Sequence, residues 1–313
     1  MVFAQRKDLL GLQDMNREDI ETILDTAVPM KDVLSRDIKK VPTLRGKVVV
    51  TVFYENSTRT RTSFELAGKY LSADTVNLAV STSSVQKGES LRDTIKTIEV
   101  MGADLMIIRH SMSGTPWYVA RNTSMKVINA GDGQHEHPTQ ALLDMYSIRE
   151  KKGTLEGLKV AILGDILHSR VARSNIFGLS KFGCEIRLVG PSTLMPPEIE
   201  NLGVKKYYEV EEALDGVDVI NVLRIQKERQ KQGMFPSIEE YSRLYALNRK
   251  RLSLAAKDAL VLHPGPMNRG VEIASEVADS AVSVINEQVT NGVAIRMALL
   301  YLMLGGGKSE IAG

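Results

Sequence analysis

The sequence predicts an α/β protein of two domains, each an open parallel sheet with helices on both faces. Three observations carry that prediction. The chain has 313 residues, more than one hydrophobic core usually organises. Short β-branched runs alternate with stretches of helical apolar spacing, the pattern of strand–helix–strand units. The alternation breaks once, at GDGQHEHPTQ (131–140), and then restarts.

The elements follow in order. A first helix spans about 16–37, with Asn16 as its N-cap and acidic residues in its first turn. KVVVTVFYE (47–55) reads as a buried strand, and TSFELAGKYL (62–71) spaces Phe64, Leu66, Ala67, Tyr70 and Leu71 as a helix. TVNLAV (75–80) is a strand, SLRDTIKTIEVMG (90–102) a helix and DLMIIRH (104–110) a strand. A helix at about 115–123 and the strand MKVINA (125–130) complete the first half. Gly131, Gly133 and Pro138 then interrupt the pattern, and a helix over about 138–151 joins the halves, ending at Gly153. The second half reads strand 158–165, helix 169–183, strand 185–190 and helix 196–202. The strand VKKYY, the helix EVEEALDG and the strand VDVINVLR follow, then a strand and loop over 257–266 and a last helix from about Thr290 and Asn291. In open parallel sheets ligands sit at the carboxyl ends of strands, so a site between two halves would gather loops from both.

Composition narrows the function. Hydrophobic residues make 43% and charged residues 25% of the chain, as in soluble globular proteins. A net charge of +2 lacks the basic excess of a general nucleic-acid binder. Cys184 is the only cysteine, which excludes an intrachain disulfide and a cysteine zinc site and suits a reducing cytoplasm. The amino terminus has no apolar run of signal-peptide length. VAIRMALLYLML (293–304) is too short to span a bilayer and carries Arg296, so it reads as a buried amphipathic helix, and no membrane association is expected.

The chemistry concentrates in FYENSTRTRTSFE (53–65). Ser57, Thr58, Arg59 and Thr60 stand where strand becomes helix. A helix start offers backbone N–H groups without acceptors and a partial positive charge. Hydroxyls add donors, and arginine adds a planar charge that matches phosphate oxygens. A plain helix cap would account for one hydroxyl; the run of such residues favours an anion site. The G-x-x-x-x-G-K loop of triphosphate sites is absent, and LGD (163–165) lacks the dinucleotide glycines, so no cofactor is expected. His135 and His137, two apart in a Gly-rich loop, make no metal site. His110 and His168 read as structural or surface residues, Trp117 as core packing and Cys184 as a small buried hydrophobe.

This stretch resembles the carbamoyl-phosphate signature of the aspartate/ornithine carbamoyltransferase family, F-x-[EK]-x-S-T-R-T-R-x-S-F-E, at every fixed position. HPTQALLD (137–144) and HPGP (263–266) resemble two further family segments in the same order, and SSVQKGESLRDT (83–94) resembles its K-G-E-[ST] loop. The resemblance implies a carbamoyl-phosphate-binding domain over 1–137 plus 291–313 and an acceptor-binding domain over 138–290. It implies that Ser57, Thr58, Arg59, Thr60 and Arg109 hold the phosphate. Thr60, Arg109 and His137 would surround the carbonyl oxygen, and Arg59 would join them in catalysis. Gln140 would bind the carbamoyl amide, and the main chain at Gly265 and Pro266 the carbamoyl nitrogen. Ser83 and Lys87 would come from a neighbouring chain, making the protein at least a homotrimer with shared active sites.

Glu55, where ornithine members carry lysine, and HPGP in place of their H-C-L-P favour the aspartate branch. So do VLRIQKER (222–229) and HSRVARS (168–174), which resemble the aspartate loops and supply Arg224, Gln226 and Arg170. A dicarboxylate calls for arginines from separate loops. The implied reaction joins carbamoyl phosphate to L-aspartate in the second step of pyrimidine biosynthesis. NRGVEI (268–273) resembles bacterial members that partner dihydroorotase, and that enzyme or a regulatory chain is the partner implied. Two alternatives remain: another amine acceptor such as ornithine, and a silent anion-binding or regulatory subunit.

Overall fold

The computed structural model describes residue 3 and residues 6–79, 89–225 and 237–305. The chain forms two compact units, Met1–Leu143 with Val289–Gly313, and Asp144–Gln288. Each is an α/β unit around one parallel sheet, the fold class expected from the sequence.

In unit 1 the strands are β1 (Val48–Phe53), β2 (Asp74–Ala79), β3 (Leu105–His110) and β4 (Lys126–Asp132), in the order β2-β1-β3-β4, all parallel. Its helices are α1 (Arg17–Ser35), α2 (Thr58–Tyr70), α3 (Leu91–Val100) and α4 (Thr115–Arg121). Val50, Val52, Ile108 and Val127 of the strands pack with Ile95 and Ile98 of α3 and Val119 of α4. Asn16 caps α1 by accepting from the Asp19 amide at 2.7 Å, as its residue type predicts.

In unit 2 the strands are β5 (Lys159–Leu163), β6 (Glu185–Val189), β7 (Lys205–Tyr207), β8 (Val219–Val222) and β9 (Leu260–Leu262), in the order β7-β6-β5-β8-β9, again parallel. α6 (Arg170–Ser180) follows β5 and α7 (Val210–Leu214) follows β7. Leu163, Val189, Ile220, Val222 and Val261 from the sheet form a core with Val210 and Leu214 of α7. Two helices run through both units: α5 (Pro138–Lys152) and α11 (Ile285–Leu300).

The structure corrects several expectations. α2 starts at Thr58 rather than 62. Its buried positions Thr60, Ser63, Phe64 and Ala67 have helical spacing, but the first two are polar and therefore invisible to an apolar count. In place of a helix over 196–202 there are two 3₁₀ turns, Ser192–Leu194 and Ile199–Leu202. Pro196 and Pro197 lack N–H donors and disfavour helical geometry before them, and Glu198 turns into the left-handed region at φ 56°. Three short helices went unanticipated: α8 (Ile238–Tyr245), α9 (Arg249–Leu252) and α10 (Ser275–Ala278). Ser237 and Asn248 cap the first two through their side chains, a signal present in the sequence.

The last helix begins at Ile285, earlier than expected, and is not amphipathic where it carries Arg296. Nearly every residue from Asn291 to Leu300 is buried. Arg296 is buried too, donating to the Gly292 carbonyl at 2.9 Å and the Thr139 hydroxyl at 3.3 Å, with its guanidinium 5.1 Å from the Phe64 ring centre. A Cβ at Gly292 would stand 2.6 Å from that guanidinium, so glycine is what admits the side chain. Cys184 is half-buried rather than buried, its thiol donates to the Leu155 carbonyl at 3.0 Å, and burial pushes its pKa up to about 11. Trp117 is half-buried as well. Among the described residues no helix is long and apolar enough to cross a membrane.

Candidate active site

In unit 1 the expected phosphate residues gather at the carboxyl edge of the sheet. Phe53 of β1 lies opposite Arg109 of β3, and the Tyr54 amide donates to the Arg109 carbonyl at 2.9 Å. The backbone thus carries Glu55 and Ser57 past the Arg109 side chain. Arg109 Nε donates to Glu55 Oε2 at 3.1 Å, and its Nη1 reaches Ser57 Oγ at 3.4 Å. Ser57 is the N-cap residue of α2, yet its side chain makes no capping bond. Its hydroxyl faces the arginine instead, accepting from Nη1.

The first backbone bond of α2 runs from Arg61 to the Ser57 carbonyl. The amides of Thr58, Arg59 and Thr60 therefore have no helical acceptor, as at any helix start. Thr58 and Arg59 are exposed, while Thr60 is buried. Three hydroxyls and three amides surround one helix end beside a guanidinium, a donor-rich corner suited to a dianion.

His137 enters the same edge from β4. The Gly133 amide donates to the His110 carbonyl at 2.9 Å, which ties the loop after β4 to the residue following Arg109. His137 is buried and directly precedes Pro138, the first residue of α5, with its carbonyl accepting from the Gln140 amide at 3.0 Å. Gln140 is buried one turn on. His110 stacks near Tyr54, ring centres 4.6 Å apart, and burial lowers its pKa despite the nearby Glu55 and Asp132 carboxylates. Its Nδ1 accepts from the Met112 amide at 2.9 Å, a structural role as expected.

His135 and Glu136 are each engaged by other partners. His135 Nδ1 pairs with Asp132 at 3.2 Å, and the Glu136 carboxylate takes the Leu12 amide at 2.8 Å and the Gln13 amide at 3.3 Å. Among the described residues no cluster of three His, Cys, Asp or Glu side chains could hold a metal ion.

In unit 2 the expected acceptor arginines follow the carboxyl ends of β5 and β8, and Gly265 and Pro266, expected at the carbamoyl nitrogen, follow that of β9, the three strands being neighbours. Arg170 opens α6 and is buried, and Ser169 before it caps the helix by accepting from the Ala172 amide at 3.1 Å. His168 is held by Asp165 at 3.0 Å, a structural role. Arg224, just past β8, is half-buried. Gly265 and Pro266, joined by a cis peptide bond, follow β9. Asn268 connects these two loops, donating to the Ile225 carbonyl at 3.1 Å. Buried His263 accepts from the Gly265 amide at 2.8 Å through Nδ1, which leaves Nε2 to donate to Glu272 at 3.1 Å.

The roles of His263, Glu272 and Asn268 and the pairing of Glu55 with Arg109 carry no local signal in the sequence. Each acts through a partner distant or irregularly spaced in the chain. Ser83, Lys87 and Gln226 lie outside the described residues.

Comparison with known proteins settles the lineage. The family profile described as "Aspartate/ornithine carbamoyltransferase, carbamoyl-P binding domain" matches residues 7–150, and the one described as the "Asp/Orn binding domain" matches 156–303. The chain belongs to the aspartate/ornithine carbamoyltransferase family. Within that family it is similar to the aspartate carbamoyltransferase catalytic subunit of Syntrophomonas wolfei, 78% identical over 98% of both chains. The fold is that of the aspartate transcarbamoylase from Trypanosoma cruzi. Its complex with carbamoyl phosphate is 28% identical, with a TM-score of 0.87, over 95% of this chain and 96% of that one. Its complex with N-(phosphonacetyl)-L-aspartic acid is 29% identical, also with a TM-score of 0.87, over 97% and 98%. This carbamoyltransferase chain therefore matches both domain profiles of its family.

Proposed function

We infer that the chain transfers the carbamoyl group of carbamoyl phosphate to the α-amine of L-aspartate, giving N-carbamoyl-L-aspartate and phosphate, the second step of de novo pyrimidine (UMP) biosynthesis. The observation that carries this reading is Arg109 and Ser57 converging on the start of α2. Unit 1 is then the carbamoyl-phosphate domain and unit 2 the aspartate domain, with Arg170 and Arg224 for the two carboxylates.

The reaction needs no covalent intermediate on the protein. The neutral amine attacks the carbonyl carbon, and the carbonyl oxygen becomes an oxyanion. Thr60, Arg109 and His137 act as preorganised donors to it, the arrangement that lowers barriers most in such sites. Gln140 and the main chain at Gly265 and Pro266 orient the carbamoyl nitrogen. The carbon–oxygen bond to phosphate then breaks. The leaving dianion rests on Ser57, Thr58, Arg59, Thr60 and Arg109, where it can take the proton the amine gives up. The arginine fork has five N–H donors, so Arg109 can grip a phosphate oxygen while Glu55 holds its Nε. Bringing two reactants into one geometry supplies much of the remaining rate.

Phosphate release measured with each candidate amine tests the acceptor. Turnover with aspartate and none with ornithine is expected, with inhibition by N-(phosphonacetyl)-L-aspartate. Turnover with ornithine alone overturns the assignment, and failure of the inhibitor to bind contradicts both half-sites together.

Ser83 and Lys87 act in a neighbouring chain of a cytoplasmic homotrimer, with dihydroorotase or a regulatory chain as a further partner. Mixing Lys87→Ala chains with His137→Ala chains tests the shared site. Recovery of activity in the hybrids is expected, and no recovery at any mixing ratio argues against sharing.

A further inference from the structure

The free edge of β4 is covered by the amino-terminal segment 8–13, and that cover ends on Glu136, the residue before His137. Leu9 pairs with Ile128 in a parallel bridge. The Leu9 amide donates to the Val127 carbonyl and the Asn129 amide to the Leu9 carbonyl, both at 2.9 Å. Asp8 accepts from the Val127 amide at 2.8 Å. Beyond β4 the backbone pairing gives way to the buried Glu136 carboxylate, which holds the Leu12 amide at 2.8 Å and the Gln13 amide at 3.3 Å.

A second buried carboxylate closes the circuit. Asn129 Nδ2 donates to both the Leu10 carbonyl and Asp132 Oδ1, each at 2.8 Å. Asp132 also accepts from the Glu136 amide at 3.1 Å and the Gly114 amide at 2.7 Å. Its burial opposes ionisation, and the His135, Gly114, Asn129 and Glu136 donors outweigh it, so its pKa is lowered. Gly11 is fitted to this arrangement: a Cβ there would stand 2.8 Å from Glu136 Cδ.

We propose that Glu136 is a positioning residue, and that the segment 8–13 is the mount on which it fixes the backbone carrying His137. The inference rests on His137 acting at the carbonyl oxygen, as in the proposed function. Carboxylate-to-amide bonds restrain the residue adjoining His137 from one side, while Pro138 and α5 restrain it from the other. Loss of the mount lets His137 drift from the oxyanion while the phosphate corner at Ser57, Thr58 and Arg109 stays intact. The signature is therefore a fall in kcat with KM for carbamoyl phosphate preserved.

The test uses the full chain, with active sites counted by titration with N-(phosphonacetyl)-L-aspartate so that unfolded protein does not register. Misplacement of a catalytic group by a fraction of an ångström to an ångström costs roughly 10- to 100-fold. Glu136→Ala and Gly11→Ala are each expected to lower kcat per titrated site by about tenfold at a KM within about twofold of wild type. Glu136→Gln, which keeps one acceptor, recovers most of the loss. Because Gly11→Ala acts through the carboxylate, adding it to Glu136→Ala costs nothing further, the non-additivity of a shared interaction. Unchanged kcat in the single variants, or strictly additive losses in the double one, overturns the proposal. Full wild-type turnover with a silent His137→Ala and unaffected Glu136 variants overturns this inference alone. A wild type without turnover, or an active His137→Ala, overturns the reading of the site and this inference with it.

Discussion

Arg109→Ala is expected to lower kcat/KM for carbamoyl phosphate by about three orders of magnitude, the scale seen when an oxyanion donor is removed. At 1.36 kcal/mol per tenfold, that is about 4 kcal/mol of transition-state stabilisation. Two losses combine: the donor to the developing oxyanion and the charge facing the phosphate. Glu55 makes the loss worse. In the wild type its carboxylate is matched by Arg109 Nε at 3.1 Å; in the variant it faces the incoming dianion with like charge. Arg109→Lys restores charge but not the planar fork, so a recovery of only about tenfold is expected. Adding Glu55→Gln to Arg109→Ala removes the repulsion and raises kcat/KM relative to the single variant. Steady-state phosphate release over a range of carbamoyl phosphate concentrations measures all three. A loss smaller than tenfold in Arg109→Ala would remove the arginine from the reacting centre.

The second large effect is on stability. Asp144 of α5 is fully buried. Its carboxylate accepts from Gln288 Nε2 at 2.7 Å, Asn175 Nδ2 at 2.9 Å and Asn221 Nδ2 at 3.3 Å. These donors come from α11, α6 and β8, so one side chain ties three elements of unit 2 to α5. Gln288 in turn accepts the His263 amide at 3.0 Å, at the start of the loop that bears Gly265 and Pro266. Asp144→Ala strips three buried amides of an acceptor, at about 1–3 kcal/mol each when left unmet. A destabilisation of roughly 4 kcal/mol is expected, since neighbours relax in part. Asp144→Asn rescues only in part: its one oxygen can still accept from Asn175 and Asn221, but its NH₂ group then faces the Gln288 NH₂ group. Urea denaturation reads the effect as a lower midpoint at constant slope. A midpoint within about 0.5 kcal/mol of wild type would show that the carboxylate is dispensable.

These two residues differ in how visible they were beforehand. Arg109 stood at the end of DLMIIRH, an apolar strand whose period and carboxyl end are local facts. Asp144 lies in HPTQALLD and reads there as one more polar helix residue. Its donors are 31, 77 and 144 positions away, and only the folded chain brings them together. The same holds for Glu136, which stands between two histidines in the sequence and holds the backbone of residues 12 and 13 in the fold.

The limits on helices have the same origin. α2 extends back over Thr58–Arg61 because Thr60 and Ser63 sit on its buried face, and hydroxyls do not announce burial. The short helices α8 to α10 have four to eight residues, too short for periodicity to register. The turn at 196–198 follows from two prolines in succession, which outweigh the helical spacing around them.

By itself the sequence determined the parallel α/β class and marked residues 57–60 as a run of hydroxyls and arginine at a strand–helix junction, while the arginines expected for a dicarboxylate came from the family resemblance. Those properties depend on residue type and near neighbours along the chain. The tertiary structure decided which carboxylate holds Arg109, that Ser57 serves the arginine rather than the helix cap, that Arg296 can be buried above Phe64, and what anchors the turn before His137. Each of these is a pairing between residues far apart in sequence, selected because a buried polar group must find a partner wherever the fold supplies one.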